Sequence, residues 1–119
     1  MDATSLKHYR EKLAKRREQI LVAVRNLERE TQEVTGKRHF DWLDQAADES
    51  EIRLLDRLNE GYLRELGRIE RAQRRVSAGD YGLCLGCHQP IERARLEASP
   101  VTEFCLECQD MRERFERAA

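Results

Sequence analysis

Four cysteines carry the most specific chemistry in this chain. Cys84 and Cys87 are separated by two residues, as are Cys105 and Cys108, and seventeen residues part the two pairs. The chain has no other cysteine. A two-residue spacing lets both thiolates of a pair meet one ion from a tight turn, and two such turns complete a tetrahedron. Four thiolates suit Zn(2+) and leave no open position for water or substrate, so the ion would be structural. Three other readings compete. Paired disulfides belong to oxidising compartments. A redox dithiol needs one pair on a βαβ scaffold, which the pattern here lacks. Cys84-Leu85-Gly86-Cys87-His88 is also formally a haem-attachment string, but that leaves the second pair unexplained. His88 reads as a surface or outer-sphere residue beside the ion, and His8 and His39 stand apart from any ligand set.

The thiolates must be held by something larger than the short segment around them. Between residues 81 and 119 large apolar side chains that could pack, such as Leu83, Ile91, Leu96, Val101, Phe104, Met111 and Phe115, are too few for an independent core. Metal binding would supply much of the folding free energy of such a module. Pro100 and Thr102 precede a final helix expected over about 103–117, with Cys105 and Cys108 near its positive end.

The preceding residues read as two long helices. Leu6, Leu13, Ile20, Leu27 and Val34 recur every seven residues, with Tyr9, Ala23 and Val24 beside them. That narrow seam on a charged helix is the pattern of coiled-coil packing. Thr4 or Ser5 can cap its start and Gly36 can stop it. A second seam runs through Ile52, Leu55, Leu58, Tyr62, Leu66, Ile69 and Val76, ending at Gly79-Asp80. Gly61 and Gly67 lie inside this helix at a cost of about 1 kcal/mol each against Ala; close helix approach and a bend are both open explanations. Each seam covers about thirty residues, roughly 45 Å of helix. A central break between matched seams favours an antiparallel hairpin over a parallel homodimer. The fold class is therefore mainly α: a hairpin over 1–80 with its tip at about 35–47, then a C4 zinc-ribbon-like module over 81–119 with a short final helix.

The tip holds the only Trp, Trp42, with Phe40 and Leu43 beside Asp41, Asp44, Asp48 and Glu49. Aromatic and acidic groups on a stalk point to recognition. Asp44 as an N-cap, with Asp48, Glu49 and Glu51 serving the helix dipole, explains the same charges structurally. Net charge is −1, from 22 basic and 23 acidic side chains. Residues 41–60 are strongly acidic, while Arg64, Arg68, Arg71, Arg74 and Arg75 form a basic stretch that Glu65 and Glu70 could neutralise. A strongly DNA-binding module would be basic overall, so this balance argues against one. No apolar run reaches the roughly 18–20 residues needed to cross a bilayer. The first twenty residues lack the apolar core of a secretory signal, so a cytoplasmic chain is expected. No nucleophile–base constellation is visible, and the chain is not expected to be an enzyme.

These features together resemble the DksA/TraR family of bacterial RNA polymerase secondary-channel regulators, in a short form. The resemblance rests on Tyr81-Gly82-Leu83-Cys84, Ile91, Arg95-Leu96-Glu97-Ala98, Pro100 and Cys105 to Cys108, and on Asp41-Trp42-Leu43-Asp44-Gln45-Ala46 as the D-x-x-D-x-A tip. It covers most of the chain. It implies a factor of the stringent-response type that binds polymerase as a monomer without sequence-specific DNA contacts. Its hairpin would enter the channel, Asp41, Asp44 and Ala46 would reach the elements near the polymerase active site, and Arg68 and Arg95 would contact the rim. Members that help bind guanosine tetraphosphate place basic residues just before the Pro and just after the fourth Cys. Here those positions are Ser99 and Gln109, although Arg68 keeps a basic position late in the second helix. A weak or absent response to the nucleotide follows. The competing functional readings are a zinc-ribbon nucleic-acid-binding protein, a transcript-cleavage-type factor with a metal-positioning tip, and a purely structural coiled-coil dimer.

Overall fold

The computed structural model describes residues 1–38 and 45–118, with side chains over 1–33 and 50–118. Four helices follow one another: α1 Ala3–Arg38, α2 Gln45–Ala78, α3 Arg93–Ala98 and α4 Leu106–Ala118. The long α1 and α2 form a hairpin-like pair, followed by the cysteine-bearing module. The expected tip residues Asp41 and Asp44 lie outside the described residues, and Ala46 falls in the first turn of α2.

The start of α1 differs from the sequence expectation. Neither Thr4 nor Ser5 caps it; the Asp2 carboxylate accepts the Ser5 N–H at 2.7 Å. An ionised carboxylate is a stronger acceptor for an orphan helix amide than a hydroxyl. Gly36 does not stop the helix, which runs on to Arg38; glycine weakens a helix interior but does not break it. The end of α2 is as read. Gly79 adopts φ +86, its N–H bonds the Val76 carbonyl at 3.3 Å, and the Asp80 N–H bonds the Arg75 carbonyl at 3.1 Å. This is the Schellman arrangement, which the absence of a Cβ permits.

The chain divides into two compact units. One comprises residues 16–67. Among its described side chains the buried apolar groups are Ile20 of α1 and Leu55 of α2, with Leu27, Tyr62 and Leu66 half-buried. Arg16 holds Glu65 with a two-pronged pair, Nε to Oε1 at 2.7 Å and Nη2 to Oε2 at 2.9 Å. Leu58 departs from the expected seam and is 45% exposed. It lies one turn from Leu55 on the flank of the stripe, so helical phase carries it out of the packing face.

The other unit comprises residues 1–15 and 68–119. Here the helix bases supply the core that the cysteine segment lacks. Tyr9 and Leu13 of α1, Ile69, Ala72 and Val76 of α2, and Tyr81, Ile91 and Leu96 are all buried. The Tyr9 and Tyr81 rings pack with centroids 5.5 Å apart. Polar ties reinforce the contact. His8 and Lys12 both reach Glu97, at 3.0 and 3.1 Å, and Arg93 donates to the Ser5 hydroxyl. Three of the residues expected in the module's core are exposed instead. Leu83 is 37%, Met111 66% and Phe115 83% exposed, and α4 has no buried residue. The unit's core is built instead from residues of the helix bases, among them Tyr9 and Leu13, together with Tyr81, Ile91 and Leu96. The helix α4 begins at Leu106, later than the expected 103, so Cys105 precedes it and Cys108 sits in its first turn.

Candidate metal centre and the adjoining cleft

The first cysteine pair is shaped by a tight turn. Leu83 and Pro90 form an isolated antiparallel bridge. Between them the Cys84 N–H donates to the Gln89 carbonyl and the His88 N–H to the Cys84 carbonyl, each at 2.9 Å. The Gly86 N–H points at Cys84 Sγ, 3.3 Å away. His88 closes the turn at φ +61, a left-handed conformation that costs a non-glycine residue about 1–2 kcal/mol. The second pair comes from the segment entering α4, where the Gln109 N–H bonds the Cys105 carbonyl at 2.9 Å. One backbone bond, from Leu85 N–H to the Glu103 carbonyl at 2.9 Å, sets the two pairs face to face.

The result is convergence of Cys84, Cys87, Cys105 and Cys108, with all four sulfurs within 4.8 Å of one another. Cys87 and Cys105 Sγ are 3.8 Å apart. A tetrahedral zinc with Zn–S of about 2.3 Å needs sulfurs about 3.8 Å apart. The donor set therefore fits a single structural ion. Gly86 is part of this fit: a Cβ there would meet Cys108 Sγ at 2.9 Å and Cys108 Cβ at 3.3 Å. Its position inside the first pair is visible in the sequence, but its contact with the second pair is not.

The electrostatics point the same way. Burial pushes the Cys84 thiol up, but backbone amides of Cys105, Cys87 and Gly86, with the Cys108 thiol, outweigh it and bring it down to about 6. Hydrogen bonding with Cys84 and then Cys105 drives Cys108 up to about 12. Four crowded sulfurs cannot all ionise unaided; a divalent cation at their centre removes that conflict.

Around the sulfurs, side chains fix the backbone that carries them. Arg95 Nε donates to the Phe104 carbonyl at 2.9 Å, and Tyr81 Oη to the Pro100 carbonyl at 2.8 Å. Arg75 donates to the Asp80 carbonyl at 3.4 Å and also to the Leu83 carbonyl. Arg71 pairs with Glu103 at 3.4 Å. Beside the metal centre an open cleft of about 760 Å³ collects Arg68, Arg95, Ser99, Gln109, Arg112 and Glu113, among others. Two of its three guanidiniums are committed locally. Arg95 holds the Phe104 carbonyl and Arg112 lies 4.3 Å over the Phe104 ring. Gln109 is bonded to Glu113 at 3.0 Å. Of the sequence-predicted residues, the structure brings the four cysteines together and places Arg68 and Arg95 on this one cleft.

A helical pair followed by four converging cysteines defines a helical-hairpin protein with a C4-type zinc finger. Residues 79–114 match the family model described as the prokaryotic dksA/traR C4-type zinc finger. The chain is 34% identical, over 121 residues, to the RNA polymerase-binding transcription factor DksA of Caulobacter vibrioides, covering 98% of this chain and 82% of that protein. The Escherichia coli protein of the same name is 33% identical over 73 residues, 61% of this chain and 48% of the relative. The structure of transcription factor DksA2 from Pseudomonas aeruginosa superposes with a TM-score of 0.91 at 28% identity, covering 98% of this chain and 89% of that one. The chain belongs to the DksA/TraR family. No helix among the described residues is long and apolar enough to cross a membrane.

Proposed function

We propose that this protein is a non-enzymatic transcription regulator that binds bacterial RNA polymerase and acts by inserting its hairpin into the secondary channel. The observation that carries the reading is the match along 98% of the chain to a polymerase-binding relative, joined to a converged four-cysteine cluster. The protein works in the cytoplasm as a monomer, with one structural zinc and no sequence-specific DNA contact. The zinc-bearing unit seats against the rim through Arg68, on a surface that Arg95 shapes by its bond to the Phe104 carbonyl. Asp41, Asp44 and Ala46 act at the tip on the mobile elements near the polymerase active site. Chemically this is population shift: the factor favours the polymerase state it binds better and so changes the lifetime of the promoter open complex.

Guanosine tetraphosphate has little to hold in the cleft. Ser99 and Gln109 are uncharged, Arg95 and Arg112 are engaged with Phe104, and Asp110, Glu113 and Glu116 oppose an anion. This supports a response that is weak or absent. The test is open-complex lifetime at a ribosomal promoter with cognate polymerase, comparing wild type with Asp41→Asn/Asp44→Asn, both zinc-loaded. Wild type shortens the lifetime, and the double variant binds without doing so. Absence of polymerase binding by the wild type overturns the reading, and equal activity of both proteins returns the aspartates to helix capping. Added nucleotide leaves the effect unchanged on a polymerase whose own nucleotide site is disabled.

A further inference from the structure

Each cysteine pair is entered through a peptide group that a guanidinium holds. Arg95 Nε donates to the Phe104 carbonyl at 2.9 Å, and Phe104 is the residue before Cys105. Arg75 donates to the carbonyl of Leu83, the residue before Cys84, and to that of Asp80 at 3.4 Å. A carbonyl and the N–H that follows it belong to one planar unit, so fixing the oxygen aims the cysteine amide. The Cys105 N–H donates to the Cys84 sulfur across the cluster, and the Cys84 N–H to the Gln89 carbonyl at 2.9 Å. Arg95 therefore stands one peptide group away from a sulfur of the opposite pair.

Neither guanidinium behaves as an ordinary surface charge. Both arginines are half-buried, and neither forms an ion pair with a carboxylate among the described residues. Arg68 and Arg112, on the same cleft as Arg95, are exposed. Three successive residues of α3 have three different tasks: Arg95 turns to the Phe104 carbonyl, Leu96 is buried in the core, and Glu97 takes His8 and Lys12 of α1. A charge-assisted bond to a carbonyl polarises the peptide and strengthens its N–H as a donor. Four thiolates around a divalent ion carry a net charge of about −2, so a stronger donor at a sulfur favours the loaded site. We propose that Arg95 is a positioning residue of the metal centre, acting on the Cys84 sulfur through the Phe104–Cys105 peptide group, with Arg75 setting the matching peptide ahead of Cys84. The inference rests on the metal-centre assignment and is independent of the polymerase reading.

The test uses the full chain loaded with Zn(2+) or Co(2+). Chelator competition reads zinc affinity, and the sulfur-to-metal charge-transfer band of the cobalt form reads the sulfur environment. The variants are Arg95→Met, Arg95→Lys and Arg75→Met, in which the apolar stem is largely kept. Arg112→Met is the control, because Arg112 lies over the Phe104 ring and bonds no carbonyl ahead of a cysteine. Arg95→Met and Arg75→Met each lose zinc affinity between about tenfold and a hundredfold. The cobalt band of Arg95→Met moves to longer wavelength, since a sulfur that accepts a weaker hydrogen bond gives up electron density more readily. Arg95→Lys keeps the charge without the aimed Nε–H, and falls between Arg95→Met and wild type. Arg112→Met stays within about twofold of wild type. Wild-type zinc affinity in Arg95→Met and Arg75→Met overturns the inference, and so does an equal loss in Arg112→Met. An affinity loss with an unmoved cobalt band in Arg95→Met overturns it in favour of a plain folding defect; if that variant does not fold, the band of Arg95→Lys decides in the same way. Failure of the wild type to take up one ion per chain removes the metal-centre assignment, and the inference with it.

Discussion

Substituting Gly86 by alanine tests whether the metal centre is held to its geometry by the absence of one methyl group. The new Cβ would stand 2.9 Å from Cys108 Sγ, 3.3 Å from Cys108 Cβ and 3.7 Å from Cys84 Sγ. Non-bonded carbon contacts relax to about 3.5–4.0 Å, so Cys108 must retreat by more than half an ångström. Metal sites tolerate displacements of only about 0.2 Å. Its sulfur cannot absorb the retreat by rotation without leaving the tetrahedron. Overpacking of this kind costs about 1–3 kcal/mol, which corresponds to a loss of zinc affinity between roughly fivefold and 150-fold at 1.4 kcal/mol per factor of ten. Chelator competition at neutral pH reads that loss directly, and thermal melting of the zinc-loaded protein reads its coupling to folding. An alanine variant that holds zinc within twofold of wild type, with the same melting temperature, would refute the claim that Gly86 sets the cluster.

Two further outcomes follow from local geometry. His88→Gly relieves the strain of φ +61 and stabilises the zinc-loaded protein by about 0.5–1 kcal/mol once the added freedom of the unfolded chain is counted; denaturant melts check it. The Asp2 carboxyl, held below its ordinary value of 3.8 by the Ser5 backbone N–H, contributes its capping above that value and loses it as pH falls through the lowered one. Asp2→Asn keeps the cap but not the charge, so its melting temperature changes less than that of wild type between pH 5 and about pH 2.

Features that depend on sequence-local physics are legible without the structure. The heptad stripes place Leu13, Ile20, Leu55 and Ile69 in the packing face, Gly79 marks the end of α2, and the cysteine spacing defines the metal cluster. What escapes is set by partners distant in sequence. Met111 and Phe115 look like core residues of a small module, but the core of their unit draws on Tyr9 and Leu13, about a hundred residues away. The short helix α3 has six residues and shows too little periodicity to be recognised, although Leu96 on it is buried at 1% exposure. Leu58 leaves the seam because a stripe of period seven drifts around a straight helix, and one turn decides which leucine faces inward. The Asp2 cap lies just ahead of the hydroxyls that the pattern offers.

The pairing of residues 1–15 with residues 68–119 in one unit has a consequence for biosynthesis. On the ribosome, Tyr9 and Leu13 are made well before Tyr81, Ile91 and Leu96, the residues that share their unit. The base of α1 must therefore wait, apolar and uncovered, until they emerge. The four-cysteine cluster is complete only once Cys108 has followed, so metal capture comes later still. Helical proteins usually fold fast because their contacts are local; in this one the decisive contacts span most of the chain. Its nascent form exposes Tyr9, Leu13 and free thiols together, the kind of surface on which chaperones act.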